Sequence, residues 1–496
     1  MDRLPDDDFY YRALHAKDAR FDGRFFVCVT TTGIYCRPVC PARVPNRANC
    51  FFVPSAAAAQ ELGFRSCLRC RPETAPGTPA WAGTEASVAR ALRLIEEGAL
   101  DEGSLPALAA RLGLGERHLR RLFVTHVGAS PQAVAANRRL LTAKQLITDT
   151  ALPLAEIAHA SGFQSLRRFN DAVVKAYGLV PGAIRRSRAD SRLSEGEITL
   201  RLGYRPPYDW PLVLRYLAGR AIPGVEVVGD ESYRRSFARG KTRGIIRVRH
   251  AATGHALEAT LTAQGPLPVR QLAARLRRLF DLEAEPAAIA LVLGKDRLIG
   301  PRLKKLPGLR VPGAFDGLEL AVRAILGQQI SVKGATTISG RLVAALGEPM
   351  PENDFGLSHY FPTAEALAGG DLTGIGLTGT RRATLQCLGR AIADGVIDFS
   401  PGESLDAKLA ALCALPGIGE WTAQYVALRA VGEPDAFPAS DLALRKAAGG
   451  GAVMAAKELE ALSQAWRPWR GYAALALWMG GIDEGDKTAH ALHAAA

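Results

Sequence analysis

A tight turn between two helical patterns, followed by a carboxylate, constrains this chain more than any other stretch. The segment Leu415–Asp441 reads LPGIGEWTAQYVALRAVGEPDAFPASD, with a Pro-Gly-x-Gly turn at its start and a Phe-Pro break before its final Asp. Gly417 and Gly419 have no Cβ, so the backbone there can take a positive φ and approach another surface closely. A helix beginning at about Glu420 would point its first free N–H groups out of the turn, where they can hold a phosphate. Taken alone, the stretch also fits an ordinary helical hairpin with a capping Asp.

Length and charge set the broad class of the chain. Its 496 residues correspond to three or four domains. The formal net charge of +13 favours a polyanionic partner such as DNA. The first residues, MDRLPDDDFYYRALHAKD, are polar and acidic and do not read as a signal peptide. No run of 18 apolar residues occurs, so we expect no membrane span and a cytoplasmic protein.

Six of the eight cysteines crowd into the segment from Cys28 to Cys70. Cys36-x3-Cys40 and Cys67-x2-Cys70 form two close pairs separated by a longer loop. Two such pairs can surround one Zn²⁺ with four thiolates, which are ligands that zinc prefers. In a cytosolic chain a metal site is favoured over disulfides. Cys28 lies in the apolar run FFVCVT and is expected in the core.

The stretches TTTGIYCRPVCPAR and GFRSCLRCRP are similar to the amino-terminal domain of the Ada methylation-response proteins, here residues 1–78. The resemblance implies that Cys36 accepts a methyl group from a DNA phosphotriester and that Cys40, Cys67 and Cys70 complete the zinc site. A metal-bound thiol is a thiolate at neutral pH, and methylating it removes a negative charge that repels DNA. Several arginines surround the cysteines and suit a phosphate backbone: Arg37, Arg43, Arg47, Arg65, Arg69 and Arg71.

Residues 84–188 carry two helix-turn-helix patterns. SLPALAARLGLGERHLRRLFVTHVG has apolar residues at helical spacing around Gly113, and LPLAEIAHASGFQSLRRFNDAVVKAYGLVPGAIR follows it. Together they resemble the AraC-type DNA-binding domain. A helical bundle with a basic face is the alternative. Recognition helices read base edges while neighbouring basic residues hold phosphates; the candidates are Arg117, His118, Arg120, Arg121, Ser165, Arg167 and Arg168.

The remaining chain resembles the AlkA-type 3-methyladenine glycosylases, members of the helix-hairpin-helix superfamily. Residues 195–283 read as an α+β layer with antiparallel strands, and RPPYDW and RLFDL carry the likeness there. Residues 284–496 read as helical and contain DGLELAVRAILGQQISVKGA, LPGIGEWTAQYVALRA, AFPASDLALRKA and AWRPWRGYAALALWMGG in the order of that family.

Breaking an N-glycosidic bond develops positive charge on the deoxyribose, which a nearby anion stabilises. Asp441 is the candidate for this anion, either as an electrostatic partner or as a base that orients water. An alkylated purine is already cationic, leaves readily, and stacks well on electron-rich aromatic walls. The motif positions assign Trp421, Tyr425, Trp478 and Gln328 to such a base pocket.

Two positions depart from family patterns. Bifunctional relatives carry a Lys where this chain has Trp421, and Trp cannot form a Schiff base. We therefore expect a monofunctional glycosylase that leaves an abasic site. AlkA-type enzymes wedge an apolar side chain into the duplex after the Gln of the ILGQ motif, whereas this chain has the polar Gln329.

The sequence thus predicts a mainly helical multidomain fold: an α+β zinc domain, an all-α double helix-turn-helix, an α+β antiparallel-sheet domain and an all-α helix-hairpin-helix domain. We expect one Zn²⁺, no organic cofactor, and no iron–sulfur cluster, since Cys387 and Cys413 lie far apart. Expected partners are double-stranded DNA and RNA polymerase, with the protein a monomer. Two alternatives stay open: a regulator whose second half only binds damage, and a glycosylase for oxidised purines.

Overall fold

The computed structural model describes residues 7–76, 84–186, 197–265, 267–400 and 402–479. The expected domain ends at residues 1, 78, 188, 195 and 496 lie outside these ranges. In the described part, helices dominate, and named strands occur only between residues 26 and 66 and between residues 197 and 264. The mainly helical multidomain fold predicted from the sequence is confirmed.

A small α+β layer forms the amino-terminal part of the described chain. Its elements are α1 (Asp7–His15), β1 (Phe26–Val29), β2 (Ile34–Cys36), β3 (Cys50–Val53), α2 (Ala56–Glu61) and β4 (Arg65–Ser66). The strand order is β3-β1-β2-β4, antiparallel except for the parallel β2–β4 pair. Cys28 pairs with Tyr35 in this sheet and is fully buried. Burial raises the pKa of the Cys28 thiol to about 12, as expected for a core residue.

Seven helices follow, and two pairs of them form helix-turn-helix units. They are α3 (Thr84–Glu96), α4 (Leu105–Arg111), α5 (Glu116–Val127), α6 (Pro131–Asp149), α7 (Leu154–Ala160), α8 (Leu166–Tyr177) and α9 (Pro181–Arg186). Gly113 takes a φ of +66° in the α4–α5 turn, and Gly162 takes +85° in the α7–α8 turn. Ser165 caps α8 by accepting the Arg168 N–H. The long helix α6 joins the two units.

Strands return between residues 197 and 264. The elements are β5 (Glu197–Gly203), α10 (Trp210–Ala218), β6 (Glu226–Val228), β7 (Ser232–Arg239), β8 (Thr242–His250), β9 (Ala256–Gln264) and α11 (Val269–Leu279). β5 pairs antiparallel with β9, and β6, β7 and β8 form an antiparallel meander.

Helices account for the rest of the described chain. They are α12 (Pro286–Leu293), α13 (Gly300–Lys305), α14 (Gly317–Leu326), α15 (Val332–Leu346), α16 (Ala364–Gly369), α17 (Gly379–Ala393), α18 (Leu405–Cys413), α19 (Glu420–Val426), α20 (Leu442–Ala448), α21 (Ala456–Ser463) and α22 (Arg470–Met479). The apolar helix α14 lies at the centre of this bundle and packs against α15, α17 and α19. A π-helical turn, Ala427–Val431, continues α19.

The described chain forms two compact units. The first contains the described residues up to Pro206 with Ala251–Arg277 and Leu282–Glu285, and the second contains Pro207–His250, Arg278–Asp281 and the described residues from Pro286 onward. The domain bounds expected from the sequence stay a prediction, and strands from residues 197–264 occur in both units. The reason is local: β5 packs against α6 and the 72–74 segment, which places it and its partner β9 with the helix-turn-helix region.

Candidate functional sites

The hairpin turn lies between α18 and α19, in the second unit. Gly417 has a φ of +83°, and a Cβ there would lie 2.1 Å from Thr384 Oγ1, so both the conformation and the close approach require glycine. Gly419 differs: its φ is −91°, and a Cβ would meet nothing within 4 Å. Its small size instead leaves the outer surface of the turn open at the start of α19.

The α14–α15 turn supports this hairpin. Gln328 Nε2 donates to the Gly417 carbonyl at 3.0 Å and to Thr422 Oγ1 at 3.0 Å. These contacts join Gln328 to the hairpin, so its assignment to the base pocket stays a prediction. The neighbouring Gln329 is exposed at the tip of the turn with a φ of +57°, a conformation that non-glycine residues rarely adopt.

Asp441 is the N-cap of α20 and is only 5% exposed. Its carboxylate accepts three hydrogen bonds. The Leu444 N–H donates to Oδ1 at 2.9 Å, Trp478 Nε1 donates to Oδ1 at 3.2 Å, and Trp421 Nε1 donates to Oδ2 at 2.8 Å. Two indoles and one backbone amide therefore fix both oxygens of a buried carboxylate, as an anionic centre requires.

The predicted aromatic residues come together beside this carboxylate. The rings of Trp421 and Tyr425 are stacked, with centroids 5.5 Å apart and an interplanar angle of 10°. Trp478 meets Tyr425 edge-on at 6.2 Å. All three side chains are partly exposed. The structure thus brings together three of the four predicted pocket residues with Asp441.

An arginine cluster backs the aromatic wall. Arg429 Nη1 donates to the Tyr425 hydroxyl at 2.7 Å and is held by the carbonyls of residues 312 and 313. Burial alone would raise the pKa of Tyr425, but Arg429, Arg220 and Arg323 outweigh it and lower the pKa to about 8. Sequence reasoning missed this cluster. Arg429 could have been found from its i,i+4 spacing to Tyr425, whereas nothing local in the sequence points to Arg220 or Arg323.

The four predicted thiolates also meet, in the first unit. The Sγ atoms of Cys36, Cys40, Cys67 and Cys70 all lie within 4.8 Å of one another. Tetrahedral coordination at a Zn–S distance of about 2.3 Å places sulfur atoms about 3.8 Å apart. The donor set and its spacing therefore fit Zn²⁺.

The four sulfurs differ in their surroundings. Cys70 Sγ accepts the Arg37 N–H at 3.4 Å, and Cys67 Sγ accepts the Arg69 N–H at 3.3 Å. Cys40 accepts a backbone hydrogen bond from Ala42. Cys36 is the only partly exposed member of the quartet.

Some of the arginines near the cysteines are held inward by protein partners and others are exposed. Arg37 is mostly buried, so its predicted contact with DNA stays a prediction. The side chain is 12% exposed, pairs with Asp22, and donates to the Cys70 carbonyl at 3.0 Å and to Thr74 Oγ1 at 2.6 Å. Arg71 is likewise held inward, by Glu73 and Asp149. Burial demands these partners. Arg43 and Arg69 are exposed.

The predicted DNA-reading arginines lie on the second helix of each helix-turn-helix unit. Arg117, Arg120 and Arg121 are exposed on α5, and Arg167 and Arg168 are exposed on α8. Two of them have neighbours on their own helix: Arg120 pairs with Glu116 at 2.8 Å, and Arg121 contacts His118 Nδ1 at 2.8 Å. Surface pairs of this kind are weak, so they leave these side chains able to exchange partners.

Family models match three parts of the chain. The metal binding domain of Ada matches residues 9–73, a helix-turn-helix domain matches residues 108–187, and the AlkA N-terminal domain matches residues 199–316. Among curated relatives, a Mycobacterium tuberculosis protein described as a probable bifunctional transcriptional activator/DNA repair enzyme AlkA is 44% identical over 480 residues, covering 95% of this chain and 96% of its own.

Two Escherichia coli proteins each match one part. DNA-3-methyladenine glycosylase 2 is 35% identical over 280 residues, covering 56% of this chain and 95% of its own. The bifunctional transcriptional activator/DNA repair enzyme Ada is 39% identical over 127 residues, covering 26% of this chain and 34% of its own.

The cysteine quartet, the paired helix-turn-helix units and the hairpin with its carboxylate define a class of protein in which an Ada-type domain, a DNA-binding domain and an AlkA-type domain share one chain. The chain belongs to the family of bifunctional transcriptional activator/DNA repair enzymes AlkA. The resemblance seen in the sequence is confirmed. No helix in the described ranges is both long and apolar enough to cross a bilayer.

Proposed function

We propose that the chain is a DNA glycosylase that releases N-alkylated bases of the 3-methyladenine type, fused to a methylphosphotriester sensor that activates transcription. The observation that carries the first part is the buried Asp441 carboxylate, held by two indole N–H groups of an aromatic wall. Membership of the family supports it. The base pocket, the catalytic role and the DNA contacts named below are parts of this proposal.

The geometry supports a dissociative cleavage. An alkylated base flipped out of the duplex stacks on Trp421 or Tyr425, whose electron-rich faces favour a cation. As the bond between the base nitrogen and C1′ breaks, its electron pair neutralises the departing base and positive charge develops on the sugar. Asp441 stabilises that charge, and water adds to C1′ with loss of a proton. Trp421 provides no amine, so the product is an abasic site.

The α18–α19 hairpin and the α14–α15 turn, which carries Gln329, position the DNA. The turn around Gly417 and Gly419 presents backbone amides to a phosphate of the lesion strand. Gln329, exposed at the tip of the neighbouring turn, fills the gap left by the flipped base. Gln328 joins the two turns by hydrogen bonds, so the phosphate-binding amides and the inserted Gln329 side chain keep a fixed relative position.

The glycosylase is tested by measuring free 3-methyladenine released from methylated duplex DNA. Wild-type protein is expected to release it, and Asp441→Asn is expected to reduce the single-turnover rate at least 100-fold, because one oriented charged group in a transition state contributes about that much. The same assay on duplexes that contain 8-oxoguanine tests the alternative that the enzyme is a glycosylase for oxidised purines, which release of 8-oxoguanine in place of 3-methyladenine would favour. Binding of methylated DNA without base release by wild type would favour a damage-binding regulator instead.

The second activity is assigned to Cys36. Hydrogen bonds to a thiolate stabilise its charge and lower its nucleophilicity, and Cys40, Cys67 and Cys70 each accept at least one from the backbone. Cys36 is the only partly exposed member of the quartet, so its sulfur is the most accessible to DNA. Zn²⁺ bound by the four cysteines keeps that sulfur in its thiolate form at neutral pH.

Methyl transfer to Cys36 requires only the thiolate and the DNA phosphotriester. The sulfur forms a bond to the methyl carbon of a phosphotriester, the carbon–oxygen bond breaks, and the electron pair leaves on the phosphate as a diester anion. The thioether is neutral, so the sulfur cluster loses one negative charge. Exposed Arg43 and Arg69 can then hold the DNA backbone.

Mass spectrometry after incubation with methylphosphotriester DNA tests this step. One methyl group on the peptide that contains Cys36 is expected, together with one zinc per chain. A Cys36→Ser protein that still gains the methyl group would exclude the assignment. We further propose that the protein is a monomer and that it activates transcription by contacting RNA polymerase. Helices α5 and α8 read the promoter DNA through exposed arginines: Arg117, Arg120, Arg121, Arg167 and Arg168.

A further inference from the structure

A buried ion pair lies directly behind the thiolate site. Lys144, on helix α6, is 1% exposed, and its Nζ lies 2.7 Å from Glu73 Oε2. The two side chains are each 2% exposed. The same ammonium donates to the carbonyl of Cys67, one of the four cysteines, at 3.1 Å. Removing two charges from water is costly, so a pair this deep requires specific partners.

A second link lies one residue after Cys70. Arg71 adopts a left-handed conformation, with a φ of +53°. Its Nε lies 3.2 Å from Glu73 Oε1, and its guanidinium also pairs with Asp149, at the end of α6. Glu73 therefore joins Lys144 and Arg71, and both connect the Cys67–Cys70 segment to the same helix.

Helix α6 also joins the two DNA-reading units. It follows α5, which carries the first set of exposed arginines, and precedes α7 and α8, which form the second unit. Asn137, two helical turns before Lys144 and so on the same face, donates to Gln60 Oε1 at 2.6 Å at the end of α2. One face of this helix thus contacts helix α2 through Asn137 and the Cys67 segment through Lys144.

We propose that Lys144 is a positioning residue that fixes the Cys67–Cys70 half of the thiolate site to the helix joining both DNA-reading units. Through this link, the loss of one negative charge at the sulfurs alters the hold of the ammonium on the Cys67 carbonyl, and α6 transmits the change to α5 and α8. The proposal deepens the sensing function proposed above and rests on it. Lys144 touches no reacting atom.

The test compares Lys144→Met with the matched control Lys408→Met. Lys408 is also buried and donates to a backbone carbonyl, that of Asp398 at 2.8 Å, but it lies in the second unit. Two quantities are measured on the full chain: the zinc dissociation constant, and the ratio of promoter-DNA affinities after and before methylation at saturating zinc.

Lys144→Met is expected to weaken zinc binding about 10–100-fold, as loss of a group that orients a ligand does. The affinity ratio, about 5–150-fold for a coupled wild type, is expected to fall several-fold in Lys144→Met, to the part that the direct loss of charge beside Arg43 and Arg69 supplies. Lys408→Met is expected to match wild type in both. A merely structural lysine would lower stability without changing the ratio at saturating zinc.

The double variant Lys144→Met/Glu73→Gln guards against simple misfolding, because replacing both members of a buried pair is often tolerated. It is expected to bind zinc, to accept the methyl group, and to show the same reduced affinity ratio as Lys144→Met. A gain equal to that of wild type would overturn the proposal. If wild type accepts no methyl group, the sensing function fails, and unchanged zinc affinity in Lys144→Met then separately overturns the positioning role.

Discussion

Replacing Trp421 with Phe tests the role of the indole N–H at Asp441 in isolation. Phe retains an aromatic face to stack on Tyr425, whose ring lies 5.5 Å away, but removes the 2.8 Å hydrogen bond to Oδ2. A hydrogen bond to a charged group contributes about 1.5–3 kcal/mol. If Asp441 must be held in its transition-state orientation, that loss corresponds to a rate reduction of about 10–150-fold.

The assay is a single-turnover measurement of base release with enzyme in excess, so that binding and product release do not limit the rate. Trp478→Phe should have a smaller effect, because its hydrogen bond of 3.2 Å is longer. Trp210→Phe is the matched control. It removes an indole donor to the carbonyl of Glu231 at 3.1 Å, away from Asp441, and should leave the rate near that of wild type.

A double-mutant cycle decides whether Trp421 acts through Asp441. In an Asp441→Asn background, Trp421→Phe should lower the rate of base release little further, because the charged interaction that the Trp421 indole supports is already lost. A Trp421→Phe enzyme as fast as wild type, or effects that multiply fully in the double variant, would refute the argument that the indole holds the catalytic carboxylate.

Three further predictions follow from the described contacts. The pKa of Tyr425, about 8, lies below the ordinary value of 10, so between pH 8 and pH 10 the folded protein binds fewer protons than the unfolded chain. Ultraviolet titration should show a tyrosine that ionises near pH 8. The stability of wild type relative to Tyr425→Phe should rise as the pH rises from 8 to 10. Gly417→Ala should destabilise by more than about 1 kcal/mol, measured by denaturant unfolding, since φ is +83° and Thr384 blocks the Cβ, whereas Gly419→Ala should not. Arg69→Ala should lower the salt dependence of DNA binding by about one unit of slope, and an unchanged slope would remove Arg69 from the interface.

Short-range patterns predicted most of the architecture. Cysteine spacing located the thiolate site, because ligands with only two or three residues between them can lie together on one turn. Helical periodicity around Gly113, together with the resemblance to the AraC-type domain, located both helix-turn-helix units, and the Pro-Gly-x-Gly turn located the hairpin with α19 beginning at Glu420. In each case the structure is determined by residues close in the chain, so local chemistry was sufficient.

Contacts between distant residues could not be predicted this way. The indole donors of Trp421 and Trp478 reach Asp441 from two other helices. Lys144 pairs with Glu73 although the two residues lie far apart in the sequence. The pairing of Arg37 with Asp22 joins two separate segments, and nothing near either residue in the sequence indicates that both are buried. Pairings of this kind depend on tertiary packing, which composition and periodicity do not encode.

Asp441 does two jobs at once, because the carboxylate that faces the proposed reaction also caps α20. Asparagine is as good a helix cap as aspartate but carries no charge. A single Asp-to-Asn change would therefore keep the cap of α20, but it would remove the charge and place an NH2 donor against one of the N–H groups that now donate to the carboxylate. For this family, one nucleotide change thus separates a base-excising enzyme from a protein that only binds damaged DNA, and that change also weakens the contacts between the aromatic wall and residue 441.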